Sequence, residues 1–109
     1  MVVEKDLEKF ISDFTVLLSG EFKLAEVWLF GSYATGTAGE DSDIDLAIIS
    51  NDFEGNRFYD CTKISNYVID KTYPELQFAG IEVHPFRTED FTIDDPFVEE
   101  IMKTGRRII

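Results

Sequence analysis

The sequence predicts an α+β fold, a small mixed β-sheet flanked by helices. Three observations predict it. Helical and strand periodicities interleave along one short chain. The strand-like runs are rich in Val, Ile, Leu, Trp and Phe, as buried strands are. No repeat, low-complexity tract or linker separates the segments, so residues 1–109 are expected to form a single domain. With 44% hydrophobic residues, ten Phe and one Trp, the composition is that of a chain with a real core.

Taken in order, Leu7, Phe10, Ile11, Phe14, Leu17 and Leu18 fall on one helical stripe, which predicts an amphipathic helix over residues 4–18 ended by Ser19-Gly20. Leu24 to Phe30 reads as a strand buried on both faces. Gly31-Ser32 breaks it, Tyr33-Ala34-Thr35 suits one short helical turn, and Thr37 to Ser42 is a small polar loop. Asp43 to Ile49 is the next strand, with Ile44, Leu46 and Ile48 on one face and Asp43, Asp45 and Ala47 on the other. Asn51 to Asn56 is rich in turn residues, and Asn56 suits a helix N-cap. Arg57 to about Lys71 reads as a helix with Phe58, Cys61, Ile64, Tyr67 and Val68 inward, and Pro74 forbids its extension. A third strand is expected over Phe78 to Phe86, with Glu82, His84 and Phe86 on one face and Ile81 and Val83 on the other. Asp95 caps a last helix that has Pro96 at its first position and carries Phe97, Val98, Ile101 and Met102, with Gly105 closing it. Arg106 to Ile109 reads as a short strand or a packed tail.

Charge and composition exclude several functions. Ten Lys and Arg against 22 Asp and Glu give a net charge of −12, a surface that repels a phosphate backbone, so free nucleic acid is not an expected partner. A nucleotide arriving with a divalent cation, or a basic protein, is compatible with it. The apolar runs are too short to span a bilayer, so no membrane association is expected. The opening Met1-Val2-Val3-Glu4-Lys5-Asp6 lacks the basic start and apolar stretch of a signal peptide. One cysteine, Cys61, excludes an internal disulfide; the expected compartment is the cytoplasm.

Two features carry chemistry. Residues two apart on a strand point the same way, about 6.5–7 Å apart along it, so Asp43 and Asp45 can share one divalent cation. Hard oxygen ligands favour Mg²⁺ or Mn²⁺. Glu82, central in a strand among apolar neighbours, is the natural third acid, able to complete a metal site or accept a proton from a hydroxyl. His84 shares its face, but as the sole His without a second motif partner it reads as structural or incidental. The other feature is Gly31-Ser32, which ends a buried strand with backbone N–H groups and a hydroxyl able to face an anion. Tyr33 beside it reads as an ordinary turn residue, with flanking of a nucleotide as the alternative.

Two familiar alternatives fail at named positions. Gly31 and Gly36 have P-loop spacing, but Thr37 stands where the Lys must be. An EF-hand counted from Asp41 would need Gly sixth and Glu twelfth, where the chain has Leu46 and Asp52.

In combination, Phe30-Gly31-Ser32 followed after ten residues by Asp43-Ile44-Asp45-Leu46 resembles the signature of the polymerase-β-type nucleotidyltransferase superfamily. Within it the chain is similar to the minimal nucleotidyltransferases, whose pattern is Gly-Ser-x-Ala-Arg-Gly and then Ser-Asp-x-Asp-Leu. Gly31, Ser32, Ala34, Gly36, Ser42, Asp43, Asp45 and Leu46 match it, whereas Thr35 stands in place of the usual Arg. The third acid, usually Asp, is Glu82 here. The resemblance implies a nucleotidyltransferase-like fold and a single minimal nucleotidyltransferase domain. It implies Mg²⁺ on Asp43, Asp45 and Glu82, with these three as the catalytic residues and Gly31 and Ser32 binding the nucleotide. It further implies a nucleoside triphosphate donor, ATP by analogy, and transfer of AMP to a hydroxyl, with a HEPN-type helical protein as acceptor and an antitoxin role. A weak or inactive module that binds nucleotide or partner is the second reading, motivated by Thr35 and the acidic surface. A small-molecule enzyme of the aminoglycoside-modifying sort is the third, disfavoured because no substrate domain is visible.

Overall fold

The computed structural model describes residues 4–109; Met1 to Val3, part of the segment read above for a leader, lie outside the described residues. The first helix, α1 (Glu4–Ser19), is followed by β1 (Leu24–Phe30), a single turn α2 (Ser32–Thr35), β2 (Ile44–Ser50), α3 (Arg57–Thr72) and β3 (Ile81–Phe86). A 3-10 turn at Thr88–Asp90, α4 (Pro96–Thr104) and a two-residue β4 (Arg106–Arg107) complete the chain. The strands form one mixed sheet in the order β3-β2-β1-β4. β1 runs antiparallel to β2 and β4, while β2 and β3 are parallel, joined by α3 as a parallel pair requires.

Strand alternation divides the core into two layers. Val27, Leu29, Ile44, Leu46 and Ile48 pack beneath α1 and α3, against Leu7, Ile11, Phe14, Leu18 and Ile64. Phe30, Ala47 and Ile49 face the opposite way and meet Phe91, Val98 and Ile101, the latter two from α4. β2 is therefore covered on both faces from Leu46 to Ser50. β1 is covered so only over its second half; Ala25 is exposed, and Trp28 is half-buried beside the two-residue edge strand β4. Among the described residues no helix is long and apolar enough to cross a membrane.

Caps fix several boundaries. The Asn56 side chain accepts from the Tyr59 N–H, and that of Asp95 accepts from the Phe97 N–H, with Pro96 at the first helical position. Three expectations need correction. Phe58 is 83% exposed, because it lies about 120° around α3 from Ile64; the inward position is taken by Asp60 instead. The Asp60 carboxylate, 1% exposed, accepts from the Glu54 and Gly55 N–H groups at 2.9 and 3.0 Å and so ties the preceding turn to the helix. β3 starts at Ile81 rather than Phe78; Phe78 instead plugs the core from a turn, its ring 5.3 and 5.1 Å from those of Phe10 and Phe14. β2 spans Ile44–Ser50, leaving Asp43 in the loop before it.

Asp60→Ala should lower unfolding free energy by about 1–3 kcal/mol, since two N–H groups lose a charged acceptor. Phe58→Ala should stay within about 0.5 kcal/mol, as expected of a surface change. Urea melts of the two variants beside the parent chain measure the contrast.

Candidate functional site

Polar chemistry gathers where β1 ends beside the start of β2. Phe30 pairs with Asp45, so the next residue, Gly31, lies against the Asp45 side chain. Gly31 has φ 74° and ψ −155°, a region essentially restricted to glycine. A Cβ built there would stand 2.5 Å from Asp45 Oδ2. The chain then turns: the Ala34 and Thr35 N–H groups bond the Gly31 carbonyl, and Gly36, with φ 79°, closes the turn onto the Ser32 carbonyl. The leading N–H groups of such a turn have no acceptor within it. Thr35 is exposed, and its hydroxyl bonds back to the Gly31 and Ser32 carbonyls and to Thr37. Tyr33 is half-buried and packs against the main core.

Parallel pairing supplies the rest. β2 and β3 align Asp45 with Glu82 and Ala47 with His84, all on the α4 side of the sheet. One ligand atom from each of Asp45, Glu82 and His84 lies within 4.8 Å of the others. Glu82 is half-exposed; Asp45 is more sheltered and His84 is buried. His84 Nε2 is 3.3 Å from Asp45 Oδ1 and 3.9 Å from Glu82 Oε1, and its Nδ1 is 3.1 Å from Arg57 Nη1. Its ring meets those of Phe30 and Phe97 edge-on, with centroids 4.8 and 5.8 Å away, and the two phenyl rings touch each other with centroids 5.5 Å apart, so the three form a cluster. Burial pushes the imidazole below its ordinary pKa; the hydrogen bond to Asp45 opposes this, and the Arg57 charge reinforces it.

Asp45, Glu82 and Gly31 thus lie together, with Ser32 the first residue of the adjoining turn. Asp43 is exposed in the loop, one residue before β2, and does not belong to the close cluster. Strand geometry cannot orient it, because the pairing of β2 with the β3 side begins at the Ile44 N–H, bonded to Gly80. Ser42 is occupied structurally, accepting from the Gly39 N–H at 2.8 Å. Sequence reasoning set His84 aside and missed Arg57 and Phe97 altogether. The period of β3 held a signal for His84; nothing local held one for Arg57, whose relevance arises from packing of α3 beside β3. Two carboxylates with free oxygens at a sheet end form a donor set suited to a hard divalent cation.

A family model described as nucleotidyltransferase domain matches residues 7–107 of the chain. Among solved structures, the chain is similar to that of a toxin–antitoxin with AMP-PNP, at 19% identity and a TM-score of 0.59, covering 94% of this chain and 72% of that one. It is also similar to a mutant of the toxin–antitoxin MntA–HpeT, at 17% identity and a TM-score of 0.57, with the same coverage. At such identities the likeness establishes a shared fold. No curated protein matches.

Gly31→Ala should destabilise the protein by about 1–3 kcal/mol from backbone strain, with the contact to Asp45 Oδ2 adding to it. Gly36→Ala, where a Cβ meets nothing within 4 Å, should cost less. Denaturant midpoints of the two variants check the order.

Proposed function

The chain belongs to the nucleotidyltransferase domain family, and from that premise we propose that it moves AMP from ATP to a hydroxyl of a partner protein. In this reading Asp43, Asp45 and Glu82 hold Mg²⁺, and the whole chain acts as one minimal domain. The observation that carries it is the alignment of Asp45 with Glu82 beside the side-chain-free backbone of Gly31. Phosphate and cation handling meet there within one sheet end.

The residues divide the work by position. Gly31 and Ser32 receive the outer phosphates, Gly31 because no side chain obstructs them and Ser32 through its N–H and hydroxyl. Asp45 and Glu82, with Asp43 from the adjoining loop, would hold the cation. When bound, Mg²⁺ supplies charge neutralisation for the triphosphate and the departing pyrophosphate. Glu82, the most open of the clustered groups, accepts the proton of the acceptor hydroxyl. The hydroxyl oxygen bonds the α-phosphorus as the bond to the bridging oxygen breaks and pyrophosphate leaves.

An acceptor protein, rather than free nucleic acid, suits the net charge of −12. The solved toxin–antitoxins of the same fold support a protein partner and an antitoxin role; a HEPN-type helical partner and a cytoplasmic location complete the proposal. Thr35 motivates a second reading, a module that retains binding but has little transfer activity. Its hydroxyl closes the turn on itself and offers phosphate no positive charge.

Incubation with labelled ATP, Mg²⁺ and the product of the adjacent reading frame should label that product. Asp45→Asn should reduce labelling by about 100-fold or more, the scale of losing one electrostatic stabiliser of a transition state. Labelling that survives Asp43→Ala/Asp45→Ala would sink the carboxylate mechanism. Thr35→Arg should raise the rate by about tenfold, equivalent to one interaction of about 1.4 kcal/mol. Mg²⁺-dependent nucleotide binding with no labelling in either chain favours the second reading.

A further inference from the structure

We infer that Arg57 and His84 form a positioning pair that fixes the Asp45 carboxylate for cation binding, and that His84 is not itself a ligand. This rests on the proposed function for its purpose but not for its geometry. A guanidinium can only donate, so the Arg57 contact at 3.1 Å requires a bare Nδ1 on His84. With Nδ1 bare, the one ring proton sits on Nε2, where it donates to Asp45 Oδ1. Both nitrogens are committed. An Nε2 that carries a proton has no lone pair for a metal, although its distance to the carboxylates alone would admit it to the ligand set.

The consequence for Asp45 is directional. Oδ1 is held from the β3 side by His84, while Oδ2 lies on the side of Gly31. The free oxygen therefore faces the turn proposed to take the phosphates. Phe30 and Phe97 pack against the imidazole, and Ala47, its neighbour in register on β2, leaves it room. Glu82 Oε1, at 3.9 Å from Nε2, is beyond hydrogen-bond reach and stays available to the cation and acceptor.

The chain has one His, so its side-chain nitrogens can be assigned without ambiguity. Long-range proton–nitrogen NMR on the free protein at pH 7.5 should find Nε2 protonated and Nδ1 bare, and Arg57→Met should turn that single tautomer into a mixture. Mn²⁺ titrations followed by electron paramagnetic resonance should show affinity about tenfold weaker in Arg57→Met and in His84→Leu, the scale for groups that orient a ligand. His84→Gln, whose amide can still donate to Asp45, should recover most of the loss. The bound Mn²⁺ should carry no directly coordinated nitrogen. A protonated Nδ1, a nitrogen coupling that vanishes in His84→Leu, or unchanged Mn²⁺ affinity in the surface variant Arg57→Met overturns the pair. Absence of Mn²⁺ binding by the parent chain overturns it also. Absence of AMP transfer with the NMR and Mn²⁺ results as expected counts against the proposed function alone and leaves the pair standing.

Discussion

Everything at the candidate site depends on the register between β2 and β3. The pairing sets Asp45 beside Glu82 and Ala47 beside His84. Because side chains alternate with a period of two, a slip of β3 by one residue would turn Glu82 and His84 into the layer beneath α1 and α3, and a slip of β2 would turn Asp45 there. That layer is filled by Ile44, Leu46, Ile48 and the helix residues that cover them. Burying carboxylates there without partners costs several kcal/mol, so the apolar face fixes the register and the register assembles the site.

The opposite face explains why the site lies where it does. Further along β2, Ala47 and Ile49 are roofed by Val98 and Ile101 of α4 and by Phe91. At Asp45 that roof gives out, and Phe97, in the first turn of α4, is its last member over His84. The sheet thus passes from a dry core into an open end within a few residues. Asp45 and His84 stand at that boundary, sheltered enough to be held in place. Glu82, in the edge strand, stands just outside it.

The fold was largely legible because its long elements carry redundant signals. The stripe from Leu7 to Leu18, the Asn56 and Asp95 caps and the alternation through Asp45 to Ile49 each state their structure locally. What escaped was decided at a distance. Phe58 looks core-like by type, but Asp60 holds the inward position because the Glu54–Gly55 turn needs its carboxylate. Phe78 is apolar like a strand residue, yet it serves the core from a turn through Phe10 and Phe14. At the site, the glycine and both strand acids stand out in sequence because chemistry restricts the residue types. Asp43 stands out equally, but its position relative to the strand start is a tertiary matter. Arg57 and His84 are far apart in sequence, and only the packing of α3 alongside β3 unites them.

Charge then decides how the parts can act together. The chain carries a net charge of −12, and its turn at Gly31 offers dipoles but, with Thr35 in place of Arg, no fixed cation. Arg87 is occupied beneath the loop after β2, bonded to the Phe53 carbonyl and paired with Glu89. Arg57 points its charge at His84 rather than at the turn. A triphosphate entering such a site meets carboxylates first, and like charges at close range repel strongly where water is scarce. On the proposed reading the carboxylates are therefore useful only with a divalent cation between them and the phosphates. Orientation of Asp45 matters for the same reason: with so few fixed positive charges available, the oxygen that holds the cation has to be aimed before the nucleotide arrives. The bond from His84, itself set by Arg57, is the structure's means of aiming it.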